Sequence, residues 1–340
     1  MRRSRKDAPT YHDIPAGKYD AEFLLGEYKR LLLARSGDAL VREAAASGGV
    51  ITEVLCAGLA RGEFDAVLSV GFAGDDPVTP CYLVSRTPEE LRARSGSVYS
   101  YVSPTQLKEA VAGLGGRRLA VVCQPCLVPL VRRWQERGEH DVRAVVSFFC
   151  GYNMTHEATH YLLGKAGVRP EDVAWIRYRH GDYPGGFAVK PRNGEPVGFG
   201  KESYELVNLQ FVRRGCSHCS LYMGEDADLS CGDAWIQEHP NLTAVLARTE
   251  AGLSLLEASQ ERLEFYALKE RDLLAMHLHN LVYKKYGNSW FLRLLTVVFR
   301  DLLPKPLAPF RLLSALSRHR RSRKIGVSVP DLKPVEKLRG

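Results

Sequence analysis

Short apolar runs alternate with helical patterns between residues 105 and 167, and this alternation limits the possible folds more than any other feature. The runs "RRLAVVCQP" and "VRAVVSFFCG" are typical of buried strands, and "LVPLVRRWQER" lies between them with helical spacing. Parallel strands are joined by crossover helices of this kind. We therefore predict an α/β fold with a mixed, largely parallel sheet and flanking helices.

The segments on either side add further elements. Upstream, residues 47–62 predict a helix, "FDAVLSVGFA" predicts a buried strand, and residues 21–36 have helical spacing. Downstream, residues 175–212 carry short aromatic runs separated by glycines, which predict a smaller antiparallel β portion. From residue 270 onwards the spacing predicts helices that lead into a helical carboxyl tail.

These changes in sequence pattern divide the chain into four predicted parts. A chain of 340 residues is long enough for two packed domains with additional segments. The parts are a leader with the first helix (1–40), an amino-terminal α/β domain (41–165), a carboxyl-terminal α+β domain with a C-x-x-C loop (166–275) and a helical basic tail (276–340).

The composition is that of a soluble globular protein, with 45% hydrophobic and 25% charged residues. The net charge is +8, and much of the excess lies in "MRRSRK" and "RHRRSRK" near the two ends. No basic stripe with interleaved aromatics runs through the middle, which argues against nucleic-acid binding. The basic tail fits two structures: an amphipathic helix on an anionic membrane, or a helix packed on the body with a solvated end.

The segment after Met1 is charged rather than apolar, and no stretch reaches the roughly 18 apolar residues of a membrane-spanning helix. We therefore expect a cytoplasmic protein, with peripheral contact to the inner membrane face if the basic tail binds lipid. Disulfides are rare in the cytoplasm, so spaced cysteines there indicate a metal or redox site.

Eight cysteines include two C-x-x-C pairs, Cys123/Cys126 and Cys216/Cys219. Two residues between thiolates allow both sulfurs to reach one metal or cluster. Cys126 follows one predicted strand and Cys150 follows the next, so both should lie at the same crevice of the sheet, where the second pair would add two sulfurs. Spacing alone leaves open zinc, an iron–sulfur cluster and a thioredoxin-like dithiol at "CQPC".

Five motifs occur in the order "SGGVITEVL", "VVCQPCLVPLVRRW", "FFCGYN", "IRYRHGDYPGGF" and "CSHCSLYMGEDADLSCGDAW". This order resembles the coenzyme F420 hydrogenase/dehydrogenase beta subunit family over roughly residues 40–240. That family includes beta subunits of deazaflavin-dependent hydrogenases and formate dehydrogenases, and reductases of the chlorophyll pathway. The resemblance implies a flavoprotein that carries FAD and a [4Fe–4S] cluster.

The resemblance also implies a ligand set for the cluster, and it favours iron–sulfur over zinc. Cys123 and Cys231 are additional thiols beside the family's positions, so ligand exchange or a second site stays open. Many relatives carry an amino-terminal C-x-x-C-x-x-C-x-x-x-C run that this sequence lacks. Either a separate ferredoxin-like or deazaflavin carrier then supplies the electrons, or the chemistry uses the flavin and one cluster only. The implied ligands are Cys126, Cys150, Cys216 and Cys219.

Two loops and one acid are the predicted flavin contacts. The "SGG" loop allows a phosphate to approach the backbone at a helix amino end, and the alternative is an ordinary helix start. The stretch "ARSGSVYSYVSP" offers hydroxyls or forms a polar turn, and "GDAW" offers an acid or forms a capped turn. The resemblance favours a flavin, FAD or FMN, at the first loop. The predicted contacts are Ser47, Gly48, Gly49, Ser95, Gly96, Ser97, Tyr99 and Asp233.

The predicted function is that of a flavin-dependent iron–sulfur oxidoreductase, in which a cluster relays single electrons and a flavin handles hydride. Its substrate would be coenzyme F420 or another small organic molecule. Arg177 and Arg179 could pair with a phosphate or an acidic substrate, or could be exposed strand residues. Two other functions stay open: a non-catalytic electron-transfer subunit of a larger redox complex, and a zinc-stabilised binding protein.

Overall fold

An eight-stranded mixed sheet forms the centre of the computed structural model, which describes residues 20–201, 207, 210–236, 238–286, 332–336 and 338. A second, three-stranded sheet packs beside it. The strands are β1 (Arg30–Ser36), β2 (Ala66–Phe72), β3 (Pro80–Ser85), β4 (Leu119–Cys123), β5 (Val142–Phe148), β6 (Val173–His180), β7 (Gly186–Pro191), β8 (Val197–Gly200), β9 (Leu229–Asp233), β10 (Thr243–Ala247) and β11 (Leu263–Ala267).

Helices connect and cover these strands. A short 3₁₀ turn at Pro170–Asp172 precedes β6, and a π-helix at Val282–Tyr286 extends the α-helix at Glu270–Leu281. The α-helices with described bounds are α1 (Ala21–Leu25), α2 (Ala39–Ala44), α3 (Val50–Ala60), α4 (Pro88–Ala93), α5 (Pro104–Ala112), α6 (Val128–Arg137), α7 (Glu157–Ala166), α8 (Arg214–His218), α9 (Glu250–Ala258) and α10 (Glu270–Leu281).

The large sheet has the strand order β11-β1-β10-β9-β5-β4-β2-β3. Its four central strands β2, β4, β5 and β9 run parallel, and the pairs outside them are antiparallel. The predicted mixed α/β fold is therefore confirmed. Because the central strands are parallel, the chain leaves β4, β5 and β9 at the same edge, which is where ligands bind in such sheets.

Alternate strand residues separate the core into two layers. On one face, Leu32 of β1 and Val146 of β5 pack under helices α3 and α9. On the other face, Val121 of β4 packs under α5 and α6, while Leu33 of β1 packs under α1 and α10. Each such side chain contributes roughly 1.5–3 kcal/mol by burial, so both helical layers hold the sheet edge in a fixed shape.

Residues 21–36 do not form the single helix that their spacing predicts. The helix α1 ends at Leu25 because Gly26 adopts φ +71°, and Arg30–Ser36 forms a strand inside the large sheet. Leu32 and Leu33 are both buried, on opposite faces of that sheet. A short, continuous apolar run fits a buried strand as well as a helix, and here tertiary pairing decides.

The smaller sheet β6–β8 is antiparallel and confirms the predicted antiparallel portion within Val173–Gly200. The prediction of short strands up to residue 212 is wrong at the carboxyl end of that segment, because the described positions Val207, Gln210 and Phe211 are helical. Val207 and Phe211 are four residues apart and both are buried against this small sheet, which is helical spacing.

The predicted carboxyl-terminal helix begins as expected, because α10 continues as the π-helix up to Tyr286. Residues 287–331 lie outside the described residues, and the predicted helical tail and its membrane contact fall mostly there. Within the described part of the chain, no helix is both long and apolar enough to cross a bilayer. The large sheet takes strands from both predicted domains, and the division of the chain at residue 165 stays a prediction.

Candidate metal and cofactor site

Two of the predicted ligands follow neighbouring parallel strands. Cys126 lies in the turn after β4 and is exposed, while Cys150 lies two residues after β5 and is half-buried. The Cys150 amide donates to the carbonyl of Tyr222 at 2.9 Å. The β4 and β5 strands are hydrogen-bonded neighbours, so these two cysteines meet at one edge of the sheet, as the sequence predicts.

The other two predicted ligands lie on the short helix α8 and directly after it. The Cys219 amide donates to the Cys216 carbonyl at 3.3 Å, so the pair forms one tight turn. The Arg213 amide donates to the Asn153 carbonyl at 3.1 Å, which attaches this turn to the segment that follows Cys150. The second C-x-x-C pair is therefore held at the carboxyl end of β5.

The electrostatics of the four thiols indicate that they share one neighbourhood. Desolvation raises the pKa of the Cys126 thiol, and charge on Cys219 and Cys216 raises it further. Desolvation also raises the pKa of Cys150 to about 12, with the charge of Lys284 acting against it and the charges of the other three cysteines adding to it. Thiolates that repel one another in this way are stabilised by a shared cation.

Within the described ranges, no three His, Cys, Asp or Glu side chains lie together as closely as the ligands of a metal ion do. The donor set nevertheless fits a metal–thiolate group, because four cysteines from three segments surround one neighbourhood and a buried ammonium lies beside them. Four thiolates are the ligand set of both a cubane cluster and structural zinc.

The remaining cysteines lie elsewhere. Cys123 is buried in the core beneath α5 and α6, and Cys231 is buried in the core beneath α3 and α9, on the opposite face of the sheet. Cys56 is also buried in the second of these cores, while Cys81 is half-buried. Packing thus separates Cys231 from the four candidate ligands. Cys123 stays close to Cys126, since burial and then the charge on Cys126 raise the pKa of the Cys123 thiol.

The loop that begins α3 is fixed to the sheet. The Gly48 amide donates to Thr243 Oγ1 at 2.9 Å, and Ser47 Oγ lies 3.1 Å from the same oxygen. A Cβ at Gly48 would lie 2.7 Å from the Ala34 carbonyl oxygen, and Gly49 has φ +78°, so packing alone requires both glycines. No described side chain caps the helix at Gly49, and this amino end of α3 therefore suits an anionic group.

The second predicted flavin loop contacts the same helix. Ser95 Oγ lies 3.2 Å from Thr52 Oγ1 in the first turn of α3. Gly96 is exposed and Ser97 is half-buried. The structure thus brings both predicted loops together at the amino end of α3.

A buried ion pair joins the second loop to the end of β9. Arg179 Nη1 donates to Asp233 Oδ2 at 2.9 Å and to Tyr99 Oη at 3.2 Å. Burial opposes the charge on Arg179, but Asp233 and Tyr99 more than offset it, so the pKa of Arg179 lies above its usual value. Arg177, on the same strand, is exposed and lies beside Trp175. Of the two arginines named from the sequence, Arg179 is the one at the site.

Two hydrogen-bond donors at this ion pair lack a partner among the described residues. Both Arg179 Nη2 and Tyr183 Oη are buried without a well-formed hydrogen bond to a described group, although the guanidinium and the hydroxyl lie beside each other. The Tyr183 ring lies 6.0 Å from the Trp235 ring, and the Lys201 ammonium lies 3.8 Å from the centre of that ring. Buried donors without partners are costly in a folded protein, and they indicate a place where a ligand supplies an oxygen acceptor.

An aromatic layer connects the cysteines with Asp233. Phe149 precedes Cys150 and packs on Gly232, where an added Cβ would lie 1.9 Å from the Phe149 ring. The Phe149 and His277 rings meet edge to face at 5.0 Å between centroids, and Tyr222 Oη lies 3.0 Å from His277 Nδ1. Cofactors at the two ends of this layer would therefore be neighbours.

Sequence reasoning did not identify several residues of this region: Thr243, Tyr183, Tyr222, His277 and Lys284. Thr243 and Tyr222 accept hydrogen bonds from the backbone amides of Gly48 and Cys150, which are distant in sequence. Residue spacing therefore could not indicate these contacts. Tyr183 lies inside the quoted motif "IRYRHGDYPGGF", which could have pointed to it. Lys284 interrupts an otherwise apolar helical pattern in "NLVYKKYG", a weak signal of a buried charge.

Two family models match the chain and together cover more than half of it. Both describe the beta subunit of coenzyme F420 hydrogenase/dehydrogenase. The model of its N-terminal part matches residues 31–107. The model of its C-terminal part matches residues 116–271, a range that includes all four candidate cysteine ligands.

Individual relatives agree with these matches. The chain is 28% identical over 252 residues to the coenzyme F420 hydrogenase subunit beta of Methanothermobacter thermautotrophicus, covering 70% of this chain and 83% of that protein. It is 26% identical over 253 residues to the chloroplastic 7-hydroxymethyl chlorophyll a reductase of Oryza sativa subsp. japonica, covering 72% of this chain and 52% of that protein. The chain thus matches about half the length of the rice reductase.

A solved structure has the same fold. A chain in the F420-reducing [NiFe] hydrogenase complex from Methanosarcina barkeri aligns with a TM-score of 0.61 and 23% identity, covering 78% of this chain and 92% of that chain. At this identity the likeness supports the fold alone.

Proposed function

The chain belongs to the coenzyme F420 hydrogenase/dehydrogenase beta subunit family, and from this premise we propose that it is a flavin-dependent iron–sulfur oxidoreductase. The two relatives are named as a hydrogenase subunit and a reductase, and both names support a redox role. In this proposal Cys126, Cys150, Cys216 and Cys219 bind a [4Fe–4S] cluster.

The flavin, FAD or FMN, binds beside the cluster in this proposal. The amino end of α3 binds its phosphate, and the two loops that meet there bind the rest of its polar chain. Asp233 and the Arg179 donor contact a polar edge of the ring or ribose. The proposed flavin contacts are Ser47, Gly48, Gly49, Ser95, Gly96, Ser97, Tyr99 and Asp233.

One observation carries the proposal: four thiols from three segments gather at the edge of the sheet where Asp233 also ends its strand. Parallel strands β5 and β9 are hydrogen-bonded neighbours, so their carboxyl ends bring both sets of residues to one crevice. A single crevice for two redox groups supports electron transfer between them.

The chemistry divides between the groups and the chain. A bound flavin exchanges two electrons as hydride, and a bound cluster carries electrons singly. The chain's own residues bind and orient these groups. Arg179 and Tyr183 donate to an oxygen acceptor, while Asp233 balances the guanidinium charge so that the buried pair stays neutral overall.

The experiment that tests the proposal is a cofactor analysis of anaerobically purified protein. We expect about four irons and one flavin per chain, together with the absorption of both groups. Cys150→Ser and Cys216→Ser should each lose the iron. Cys81→Ser is the matched control, because Cys81 is half-buried on the edge strand β3 and none of the four candidate ligands acts on its thiol.

Other results would contradict the proposal. Zinc without iron or flavin would make the cysteines a structural zinc site and the chain a binding protein. Retention of all iron in Cys150→Ser and Cys216→Ser would exclude the proposed ligand set. Iron without flavin would leave the cluster but remove the hydride chemistry.

The substrate in this proposal is coenzyme F420 or another small organic molecule, and electrons come from or go to a ferredoxin-like or deazaflavin carrier. The name of one relative supports coenzyme F420, and the name of the other supports a small organic substrate. The protein is mixed anaerobically with reduced ferredoxin in one experiment and with reduced F420 in another. One of the two carriers should reduce the flavin and bleach its absorption. Bleaching by neither would rule out both carriers.

A second candidate function is that of a non-catalytic electron-transfer subunit in a larger redox complex. The observation that favours it is the match to 83% of a protein that is itself named as a hydrogenase subunit. This function predicts stable co-purification with a partner and no turnover by the isolated chain. Turnover by the isolated chain would exclude it.

A further inference from the structure

Lys284 is a buried cation beside the cysteines, and it lies outside both family matches. The residue is 4% exposed and belongs to the π-helix Val282–Tyr286. Its Nζ donates to the Cys216 carbonyl at 3.2 Å. Single π turns inside helices are frequent at functional sites, because the extra residue redirects side chains.

The charge of Lys284 has no carboxylate partner among the described residues. Its neighbour Lys285, by contrast, forms an ion pair with Glu225. Burying an ammonium ion without an anion costs several kcal/mol, so such a charge is rarely retained unless a counter-charge is nearby. The charge of Lys284 acts on the Cys150 thiol, and its hydrogen bond goes to the backbone carbonyl of Cys216, so it lies beside two of the candidate ligands.

We propose that Lys284 is the counter-charge of a metal–thiolate centre formed by the four cysteines. This inference depends on the proposed function, because it requires that the four thiols bind a metal. A metal centre with four thiolates is anionic, and a fixed buried cation beside it favours its more reduced, more negative state. Lys284 would therefore raise the reduction potential of the centre and help it to retain its metal.

A purely structural role is the alternative, in which Lys284 merely holds the Cys216 turn through its hydrogen bond. Three variants separate charge from hydrogen bonding. Lys284→Gln keeps a donor and removes the charge, while Lys284→Arg keeps both. Lys285→Gln is the matched control, because it removes a charge one residue away that already has a carboxylate partner.

The experiment is a redox titration of the anaerobically purified full chain, followed by competition with a chelator for the bound metal. Lys284→Gln should shift the midpoint of the cluster to lower potential and lower its metal affinity by about 10- to 100-fold. Lys284→Arg should restore most of both values. Lys285→Gln should remain near wild type.

The outcomes distinguish this inference from the proposed function. If iron is bound but Lys284→Gln and Lys285→Gln shift the midpoint equally, the inference is overturned and the oxidoreductase stands. If the chain binds no iron, Co²⁺ replaces it as the probe, and weaker Co²⁺ binding in Lys284→Gln alone supports the inference while the redox function fails. If the cysteines bind neither metal, both are overturned.

Discussion

At the residue scale, Arg179 and Tyr183 contribute more to the candidate site than the sequence predicts. Arg179 keeps its charge while buried because Asp233 lies 2.9 Å away, yet one of its nitrogens and the Tyr183 hydroxyl still lack a described partner. A folded chain retains such donors when a ligand uses them. Substitution of these two donors therefore tests whether the proposed flavin binds beside Asp233.

Replacing Tyr183 by Phe removes one buried hydroxyl that makes no described hydrogen bond. We expect the free energy of unfolding without flavin to change little, because the hydroxyl makes no well-formed hydrogen bond and loses only its contact with the Arg179 guanidinium. We expect the dissociation constant for flavin to rise about tenfold, the equivalent of one hydrogen bond. Fluorescence titration of the flavin-free protein with FAD measures this.

The control for this variant is Tyr178→Phe. Tyr178 is also a buried tyrosine of the small-sheet region, but its hydroxyl hydrogen-bonds to Thr159. Its loss should lower the free energy of unfolding by about 1 kcal/mol and leave flavin affinity unchanged. Unaltered affinity in Tyr183→Phe would show that the Tyr183 hydroxyl does not face the flavin.

Burial of His277 makes the stability of the fold depend on pH. Burial lowers its pKa to about 4, with Asp233 acting in the opposite direction, so His277 stays neutral where an unfolded histidine has already gained a proton. The unfolded state therefore binds more protons between about pH 6.5 and about pH 4. Stability should fall by about 3 kcal/mol as the pH decreases through this window.

Urea unfolding between pH 7.5 and pH 4.5 measures this loss in wild type and in His277→Gln. The variant should show a shallower decline, because its side chain does not titrate. His180→Gln, which removes an exposed histidine, should follow wild type. Equal slopes in all three proteins would assign the acid sensitivity to other groups.

At the scale of elements, the end of β5 positions Cys150 through one close contact. Gly232 of β9 leaves room for the Phe149 ring, and Phe149 is followed directly by Cys150. Gly232→Ala would put a Cβ 1.9 Å from that ring, so the ring and its strand end must move. We expect a loss of about 1–3 kcal/mol in stability and a reduced iron content.

Thermal unfolding and iron analysis on the same preparation check this prediction. Gly164→Ala is the control, because a Cβ on that helical glycine has open space around it. It should leave iron content unchanged and raise stability slightly through its better helix propensity. A stable Gly232→Ala protein with full iron would show that Phe149 does not orient Cys150.

The sequence predicts the elements whose pattern is local and misses those that depend on distant partners. The α3 helix and strands β4 and β5 follow from periodicity, and with them the shared edge for Cys126 and Cys150. Strand β1 does not, because its apolar run fits a helix equally well until β10 and β11 pair with it.

The same limit applies to the site. Spacing identifies the cysteines as candidate ligands, but no pattern predicts that Arg179 pairs with Asp233 across 54 positions or that Lys284 lies beside Cys216. These contacts arise from the packing of the small sheet and of α10 on the large one. Site residues that are brought together by such packing can be identified from the structure but not from the sequence pattern.

At the scale of the whole molecule, the order of strands ties the two halves of the chain together. Strand β1 comes from the predicted leader, residues 1–40, but lies between β10 and β11 of the second predicted domain. Strand β9 in turn pairs with β5 from the first half. The candidate site lies at this junction, since its cysteines and its flavin loops come from both halves.

This interleaving predicts that a cut after Gly167 yields no independent domains. The amino-terminal piece would expose β1 on both edges, and the carboxyl-terminal piece would lose the strands that flank β9 and β10. Unpaired strand edges favour aggregation, so each piece expressed alone should be insoluble. Co-expression should recover soluble protein that binds flavin, because the sheet can then form from both pieces. A folded circular dichroism spectrum and cooperative unfolding of either piece alone would contradict this prediction. They would support two separate folding units, with the candidate site at an interface between domains rather than inside one sheet.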